Sequence, residues 1–201
     1  YQEGEGGIAA ALSLCEHWAG GSPICVVLGD NIIEKNIRKA VANFREQKQG
    51  GKILLKEVPD PERFGVATLQ GDKVLRIVEK PKNPETNLAV IGIYMYDGRV
   101  WEIIKTLKPS GRGELEITDV NNWYIRDGSL SCEVLDGWWK DTGMLEDMLE
   151  ANRLVLEDLE ERIEGELVDS RVEGKVVIEF ADLEDLERIY HRMTTQSDTE
   201  S

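Results

Sequence analysis

The chain has 201 residues, 41% of them hydrophobic and 31% charged, which is enough for one sizeable hydrophobic core. Its 39 acidic residues outnumber the 24 basic ones, and the formal charge of −15 argues against binding to nucleic acid or an anionic membrane. No apolar run reaches transmembrane length, and Cys15, Cys25 and Cys132 lack the spacing of a disulfide framework or a zinc site. We therefore expect a protein of the reducing cytoplasm.

The first part of the chain alternates predicted helices and strands. In chain order these are a helix from Gly7 to Gly20, a strand over 24–28, a helix over 37–47 and a strand over 50–58. The continuous apolar run over 24–28 predicts a buried strand of the parallel type, with Asp30 at its carboxyl end. This alternation is typical of βαβ units.

The rest of the chain continues the mixed pattern. The predicted elements are a hairpin around Gly71-Asp72, strands over 88–97 and 131–143, and helices over 99–107, 116–127 and 144–163. Together they predict an α/β fold with a Rossmann-like mixed sheet flanked by helices. We divide the chain into a core over 1–165 and an extension over 166–201, in which 167–179 resembles one rung of a β-helix before a helix and polar tail.

Two aspartates stand where predicted strands end. Asp30 lies in Leu-Gly-Asp-Asn and Asp141 in Trp-Trp-Lys-Asp-Thr-Gly. Ligands of open α/β sheets bind beyond the carboxyl ends of the strands, and two converging carboxylates there suit a magnesium ion that bridges phosphate oxygens. The alternative is structural, because Asp30 can start a turn and Asp141 can cap the helix that follows.

Two further motifs combine acidic and basic residues. Glu79 and Lys80 stand before Pro81, where they could bind sugar hydroxyls and a phosphate or simply form a solvated pair. Arg112 lies between two glycines just before a helix, so it could reach a phosphate, although the neighbouring Glu114 and Glu116 could equally complement the helix dipole.

Taken in order, these segments resemble the glucose-1-phosphate thymidylyltransferases of the nucleotidyltransferase superfamily. The matching motifs are YQ…GGIA at 1–9, LGDNI at 28–32, DPERFGV at 60–66, VEKP at 78–81, VIGIYMYD at 90–97, GRGELEITD at 111–119 and WWKDTG at 138–143. The resemblance implies a magnesium-dependent reaction of dTTP with glucose 1-phosphate in a homo-oligomeric enzyme. Transfer from UTP is an alternative, since a methyl group on the base changes binding by only about 1–3 kcal/mol.

The resemblance also implies roles for individual residues. Gln2 and Gly7 match the positions that contact the base, and Asp30 and Asp141 match the magnesium ligands. The sugar pocket corresponds to Gly65, Glu79, Val90 and Tyr94, the cationic groups at the sugar phosphate to Lys80 and Arg112, and the packing residue beside them to Trp139.

The sequence departs from the family pattern in one important respect. The family opens with a strand and a Gly-rich loop, GxGTRLxPxT, which together with a downstream Lys surrounds the triphosphate, and the 201 residues contain no such segment. We therefore expect activity to need that segment. The second hypothesis, from another functional class, is a non-catalytic module that binds sugar nucleotides or regulates a partner.

Overall fold

The computed structural model describes residues 6–169 of the chain. It contains a first compact unit, residues 1–160, and a second, 161–201, of which only helical residues to Asp169 are described. The helices are α1 (Ile8–Ser13), α2 (Glu16–Ala19), α3 (Arg38–Gln47), α4 (Val100–Thr106), α5 (Ile117–Asp127) and α6 (Leu145–Asp169). The strands are β1 (Ile24–Val27), β2 (Asn31–Ile33), β3 (Gly51–Glu57), β4 (Gly65–Gln70), β5 (Lys73–Glu79), β6 (Leu88–Tyr96), β7 (Leu130–Val134) and β8 (Trp139–Asp141).

The main sheet is built around β6. Its strand order is β5-β4-β6-β3-β7, and β1 lies beside β6 on the edge that β4 also uses. Only β3 and β7 run parallel; the other pairs in this sheet are antiparallel. The mixed sheet between helices confirms the predicted fold class.

The alternation of side chains along β6 creates a core on each face of the sheet. Tyr94 and Tyr96 point into the core shared with α1, α4 and α5, whereas Ile93 and Met95 point into the core shared with α3. Because β6 is covered on both faces, nearly all of its residues are buried. This explains why its sequence is almost continuously apolar.

The parallel, buried strand predicted over 24–28 is wrong in both respects. β1 pairs antiparallel with β6, and alternate residues are exposed; Val27 is 54% exposed. Within the described residues β1 has β6 as its only strand partner, and its outward-facing side chains lack a covering element. A short apolar run alone does not distinguish a half-buried strand from a fully buried one.

Other predicted elements exist in the structure but have different boundaries. The strand predicted over 131–143 is two strands: β7 joins the main sheet, and β8 forms a separate antiparallel pair with β2. The helix from Gly7 is divided into α1 and α2, and the last helix extends to Asp169. Of the β-helix rung predicted over 167–179, only residues 167–169 are described, and they belong to α6. The rest of the rung and the tail lie outside the described residues, so the division at 165 stays a prediction.

Two findings concern the cysteines and the helices of the described residues. Cys15, Cys25 and Cys132 are all free thiols. None of the helices described here has both the length and the apolar composition required to cross a bilayer.

A buried carboxylate at the end of β6 joins several elements. Asp97 accepts hydrogen bonds from Gly50 N (2.6 Å), Tyr124 Oη (2.8 Å), Arg99 Nε (2.9 Å) and Arg99 N (3.0 Å). Burial raises the pKa of Asp97, but the hydrogen bonds outweigh it and hold the pKa below its ordinary value. The carboxylate therefore connects the start of β3 with α4 and α5.

We expect Asp97→Asn to lower the free energy of unfolding at pH 7 by about 2–4 kcal/mol, since it removes the charge that satisfies buried donors. Because folding lowers the pKa of Asp97, its carboxylate stabilises the fold fully at pH values above its unfolded-state pKa of about 3.9. This contribution is lost as the pH falls through the folded-state pKa. Urea unfolding should show a smaller difference in the free energy of unfolding between the parent protein and Asp97→Asn at pH 3 than at pH 7. Asp127→Asn removes the exposed partner of Arg99 and should cost less; an equal loss would contradict the prediction.

Candidate active site

The β2–β8 ladder holds Asp30 and Asp141 beside each other. Asn31 is paired with Asp141 in the ladder, while Thr142 donates to Asp30 O through its N (2.7 Å) and its Oγ1 (2.9 Å). A Cβ on Gly143 would lie 3.0 Å from Asp141 Oδ1 and 4.0 Å from Asp30 Oδ2. The two carboxylates predicted from separate motifs thus face one small space.

The Asn31 side chain fixes this arrangement to the main sheet. Its Oδ1 accepts from Gly92 N (2.9 Å) and Trp139 Nε1 (2.7 Å), and its Nδ2 donates to Asp30 Oδ1 (2.8 Å). A Cβ at Gly92 would come within 2.6 Å of Asn31 Nδ2, so this position requires glycine for close approach. Sequence reasoning missed Asn31, although it lies inside the LGDNI motif.

Glu79, Gly65 and Val90 form a row across β5, β4 and β6. Gly65 is paired with Glu79 on one side and with Val90 on the other. Thr118 Oγ1, from α5, donates to Glu79 Oε2 at 2.6 Å. A Cβ at Gly65 would stand 3.3 Å from Thr118 Oγ1 and 3.4 Å from Glu79 Oε2, so the glycine leaves room for this pair.

Thr118→Val keeps the side-chain shape but removes the hydroxyl donor to Glu79. The family resemblance implies that Glu79 contacts the sugar, and without the Thr118 hydroxyl its carboxylate loses a fixed orientation. On that assignment we expect the KM for the sugar phosphate to rise about tenfold, typical for a hydrogen bond to a charged group. Steady-state kinetics would measure it. Thr106→Val, which removes a hydroxyl bound to Ile103 O on α4, is the matched control. An unchanged KM in Thr118→Val would contradict the prediction.

Lys80 follows Glu79 in an unusual backbone conformation. Its φ is +41°, in the left-handed region that residues other than glycine rarely adopt, and it precedes Pro81. Its N donates to Phe64 O at 2.9 Å, and its side chain is exposed. The turn therefore leaves the Lys80 side chain accessible to solvent at the end of β5.

Arg112 extends from the loop before α5 toward the same carboxylate. Its Nη2 lies 2.8 Å from Glu116 Oε2, 3.2 Å from Glu114 Oε2 and 3.6 Å from Glu79 Oε1. Hydrogen bonding to Glu116 raises the pKa of Arg112 above its ordinary value, so the guanidinium stays charged.

Aromatic side chains form the walls of the space between these charged groups. Trp139 is buried and packs edge-to-face on Phe64 with ring centroids 5.2 Å apart. Tyr94 stacks on Tyr96, and burial raises the pKa of Tyr94 well above its ordinary value. Beneath them Asn121 Oδ1 accepts from Tyr96 Oη at 2.6 Å, while Asn121 Nδ2 is buried without a partner among the described residues.

These residues line one cavity of about 320 Å³, within the roughly 300–1,000 Å³ of small-molecule sites. It opens where the partner of β6 changes from β1 to β4, next to Gly92. The predicted residues that line it are Asp30, Gly65, Glu79, Lys80, Val90, Tyr94, Arg112, Trp139 and Asp141. The family resemblance implied that these residues share one site, and the structure brings them together. Their roles in binding and catalysis stay predictions.

Of the two predicted base-binding residues, only Gly7 is described, and it is not among the lining residues. Gln2 lies outside the described residues. Gly7 stands next to the lining residue Ile8, with φ +82°, and a Cβ there would come within 2.7 Å of Leu115 O. Close packing against the loop before α5 is thus sufficient to explain the glycine at this position.

The charge of the lining is predominantly acidic. Its acidic side chains are Asp30, Glu79, Glu114, Glu116 and Asp141, and its basic ones are Arg63, Lys80 and Arg112. Arg63 is already paired with Asp60 and Asp147. A phosphorylated ligand would therefore need an additional cation beside Asp30 and Asp141.

The oxygen donors suit such a cation. Magnesium is commonly bound by one or two carboxylates together with substrate phosphates and water, rather than by a complete set of protein ligands. Residues 6–169 include no cluster of three or more Asp, Glu, His or Cys side chains with metal-binding geometry. A pair of carboxylates that leaves further positions to the substrate is consistent with magnesium.

The fold and cavity define an α/β protein with a small-molecule site of mixed charge. Comparison with known proteins specifies the family: the nucleotidyl transferase model matches residues 1–158. The chain belongs to the nucleotidyl transferase family.

Similar proteins cover much of the chain. It is 42% identical over 176 residues to a glucose-1-phosphate thymidylyltransferase of Streptomyces antibioticus, covering 86% of this chain and 49% of that protein. It is 41% identical over 174 residues to the low-salt glycan biosynthesis nucleotidyltransferase Agl11 of Haloferax volcanii, covering 85% and 48%. The chain thus spans about half the length of the curated relatives it matches.

A solved structure supports the fold. One match is a Bacillus anthracis structure described as a glucose-1-phosphate thymidylyltransferase in complex with a sucrose. It is 52% identical, has a TM-score of 0.72, and covers 76% of this chain and 62% of that one. The mixed sheet and its flanking helices are therefore those of a nucleotidyltransferase.

Proposed function

We propose that the protein transfers a thymidylyl group from dTTP to glucose 1-phosphate, forming dTDP-glucose and pyrophosphate. The observation that carries the proposal is the single cavity in which the Asp30–Asp141 pair stands with Glu79, Lys80 and Arg112. This set provides oxygen ligands for a cation, acceptors for sugar hydroxyls and donors for phosphate. The names of the relatives add support for a sugar-1-phosphate nucleotidyltransferase.

The sugar phosphate would bind on the side of Glu79. Its carboxylate, held by Thr118, accepts hydrogen bonds from sugar hydroxyls, and the glycine at position 65 leaves space for the ring. Lys80 and Arg112 supply the positive charges that balance the phosphate. Trp139 excludes water from the adjacent wall.

The chemistry proposed is a direct displacement. An oxygen of glucose 1-phosphate attacks the α-phosphorus of dTTP, a new phosphorus–oxygen bond forms, and the bond to pyrophosphate breaks. The described lining residues include neither His nor Cys, so they offer no Ser–His or Cys–His pair of the kind that forms a covalent intermediate. The contribution of the side chains is to hold two phosphorylated substrates in line and to neutralise their charge.

Magnesium is the proposed cofactor. Asp30 and Asp141 would hold it, their positions fixed by Asn31 and Thr142. When bound, the ion supplies positive charge to phosphate oxygens, which lowers the repulsion between the two substrates. Chelation with EDTA should therefore abolish turnover, and added magnesium should restore it.

We further propose that the enzyme is a homo-oligomer. We also propose that transfer needs the Gly-rich triphosphate segment typical of the thymidylyltransferases.

The transfer reaction is tested by pyrophosphate release from glucose 1-phosphate with dTTP or UTP and magnesium. The present chain should be compared with one extended upstream to an initiator Met.

Turnover with a preference for dTTP in the extended chain alone would support the proposal, whereas preference for UTP would replace thymidylyl by uridylyl transfer. Binding of dTDP-glucose without turnover in either chain would overturn the enzymatic proposal and favour a regulatory module.

A further inference from the structure

The Arg112 side chain is held by one particular carboxylate, that of Glu116. Its Nε donates to Glu116 Oε1 (3.2 Å), and its Nη2 donates to Glu116 Oε2 (2.8 Å). This is a bidentate pair, in which two donors of one guanidinium meet both oxygens of one carboxylate. Glu79 and Glu114 lie within ion-pair distance but accept no hydrogen bond from the Arg112 side chain.

Glu116 is in turn held in place. Ser110 Oγ donates to Glu116 Oε1 at 2.7 Å, and the Glu116 side chain is only 11% exposed. Burial raises the pKa of Glu116, but the hydrogen bonds from Arg112 and Ser110 outweigh it, so the pKa lies below its ordinary value. Glu116 is therefore an anchored carboxylate, whereas Arg112 extends from a loop with glycines on both sides.

Helix capping does not account for Glu116. It occupies the N-cap position of α5, yet its side chain makes no capping hydrogen bond to the helix backbone. Its oxygens are directed to Arg112 and Ser110 instead. The sequence left open whether Glu116 complements the helix dipole, and its hydrogen bonds favour a role directed at the arginine.

The pair determines which donors remain for a ligand. A guanidinium has five N–H groups, and binding through Nε and Nη2 leaves both hydrogens of Nη1. Within residues 6–169, Arg112 Nη1 makes no hydrogen bond, and Arg112 lines the cavity. The guanidinium is thus fixed on one edge and available on the other.

We propose that Glu116, supported by Ser110, is a positioning residue that holds Arg112 by Nε and Nη2 so that Nη1 donates to the phosphate of the sugar 1-phosphate. The inference rests on the proposed function. Without this anchor the Arg112 side chain would lose more orientational freedom on binding the phosphate, which weakens binding, and the guanidinium would pair with Glu79 or Glu114 instead. Glu116 also lines the cavity, but its two oxygens are directed at Arg112 and Ser110, and its proposed action is through Arg112.

A double-mutant cycle tests this role in the protein at its full natural length. Binding of glucose 1-phosphate would be measured by calorimetry for the parent protein, Glu116→Gln, Arg112→Ala and the double variant. We expect Glu116→Gln to weaken binding about tenfold and Arg112→Ala about 100-fold. The double variant should bind no more weakly than Arg112→Ala, because Glu116 has no effect once the arginine is gone.

Two further variants separate positioning from general stability. Ser110→Ala removes the support of Glu116 and should weaken binding about threefold. Glu150→Gln is the matched control, since Glu150 accepts from Nε and Nη2 of Arg153 in the same bidentate manner but does not line the cavity. Its binding constant should equal that of the parent.

The outcomes distinguish the two proposals. If the parent binds glucose 1-phosphate and releases pyrophosphate, but Glu116→Gln binds normally or weakens binding equally with and without Arg112, only the positioning role is overturned. If the parent neither binds glucose 1-phosphate nor releases pyrophosphate, the proposed function fails and the positioning role fails with it.

Discussion

Replacing Asp30 or Asp141 with asparagine is expected to lower kcat roughly 10³-fold, because either change removes half of the negative charge that would hold the metal ion. Asparagine preserves the shape of each side chain. At position 30 its Oδ1 can still accept from Asn31, and at position 141 from Gly143 N. The loss should therefore appear in turnover with little change in the unfolding midpoint.

The double variant is informative because the two carboxylates are proposed to serve one ion. Asp30→Asn with Asp141→Asn should be little worse than either single variant, since residues that act as a unit are not additive. Asp136→Asn, an exposed aspartate in the β7–β8 connection that does not line the cavity, is the control. A single variant that keeps parental kcat in magnesium would contradict the assignment.

Lys80→Gly is expected to stabilise the fold while reducing activity. The left-handed backbone of Lys80 costs about 1–3 kcal/mol for a residue with a side chain, and glycine removes most of that strain while adding unfolded-state entropy. We expect a net gain of about 1 kcal/mol in the free energy of unfolding. Loss of the ammonium that would balance the phosphate should lower kcat/KM about 100-fold.

Lys48 offers a matched control for the backbone effect. It is the other described residue besides glycine with a positive φ, at +66°, and it ends α3 away from the cavity. Lys48→Gly should give a similar gain in stability with unchanged kinetics. Lys80→Ala should lose activity without the gain. If Lys80→Gly kept full kcat/KM, the ammonium would have no part in the reaction.

The fold was predictable where strong local signals agreed. The hairpin around Gly71-Asp72 and the strand ending at Asp97 formed as predicted, because turn residues bounded clear apolar runs. The strand predicted over 131–143 divided, since its residues pair with two different sheets. Strand partners depend on distant segments, and the sequence of one strand does not contain them.

The site was predictable in its members but not in its connections. Motif order gave Asp30, Asp141 and Glu79, and the structure brings them to one cavity. It did not give Asn31 as the amide between them or Thr118 as the donor to Glu79. Such hydrogen bonds join residues far apart in the chain, so they become visible only when tertiary packing has set their distances.

The β2–β8 ladder also has a consequence for the order of folding. Its Trp139–Asn31 hydrogen bond joins residues 108 positions apart, and long loops close late because their entropy must be offset by other contacts. The main sheet can form first, and the carboxylate pair is complete only when β8 docks on β2. A divalent cation that binds this pair would therefore stabilise the docked ladder, since the pairing of β2 with β8 is what brings Asp30 and Asp141 together.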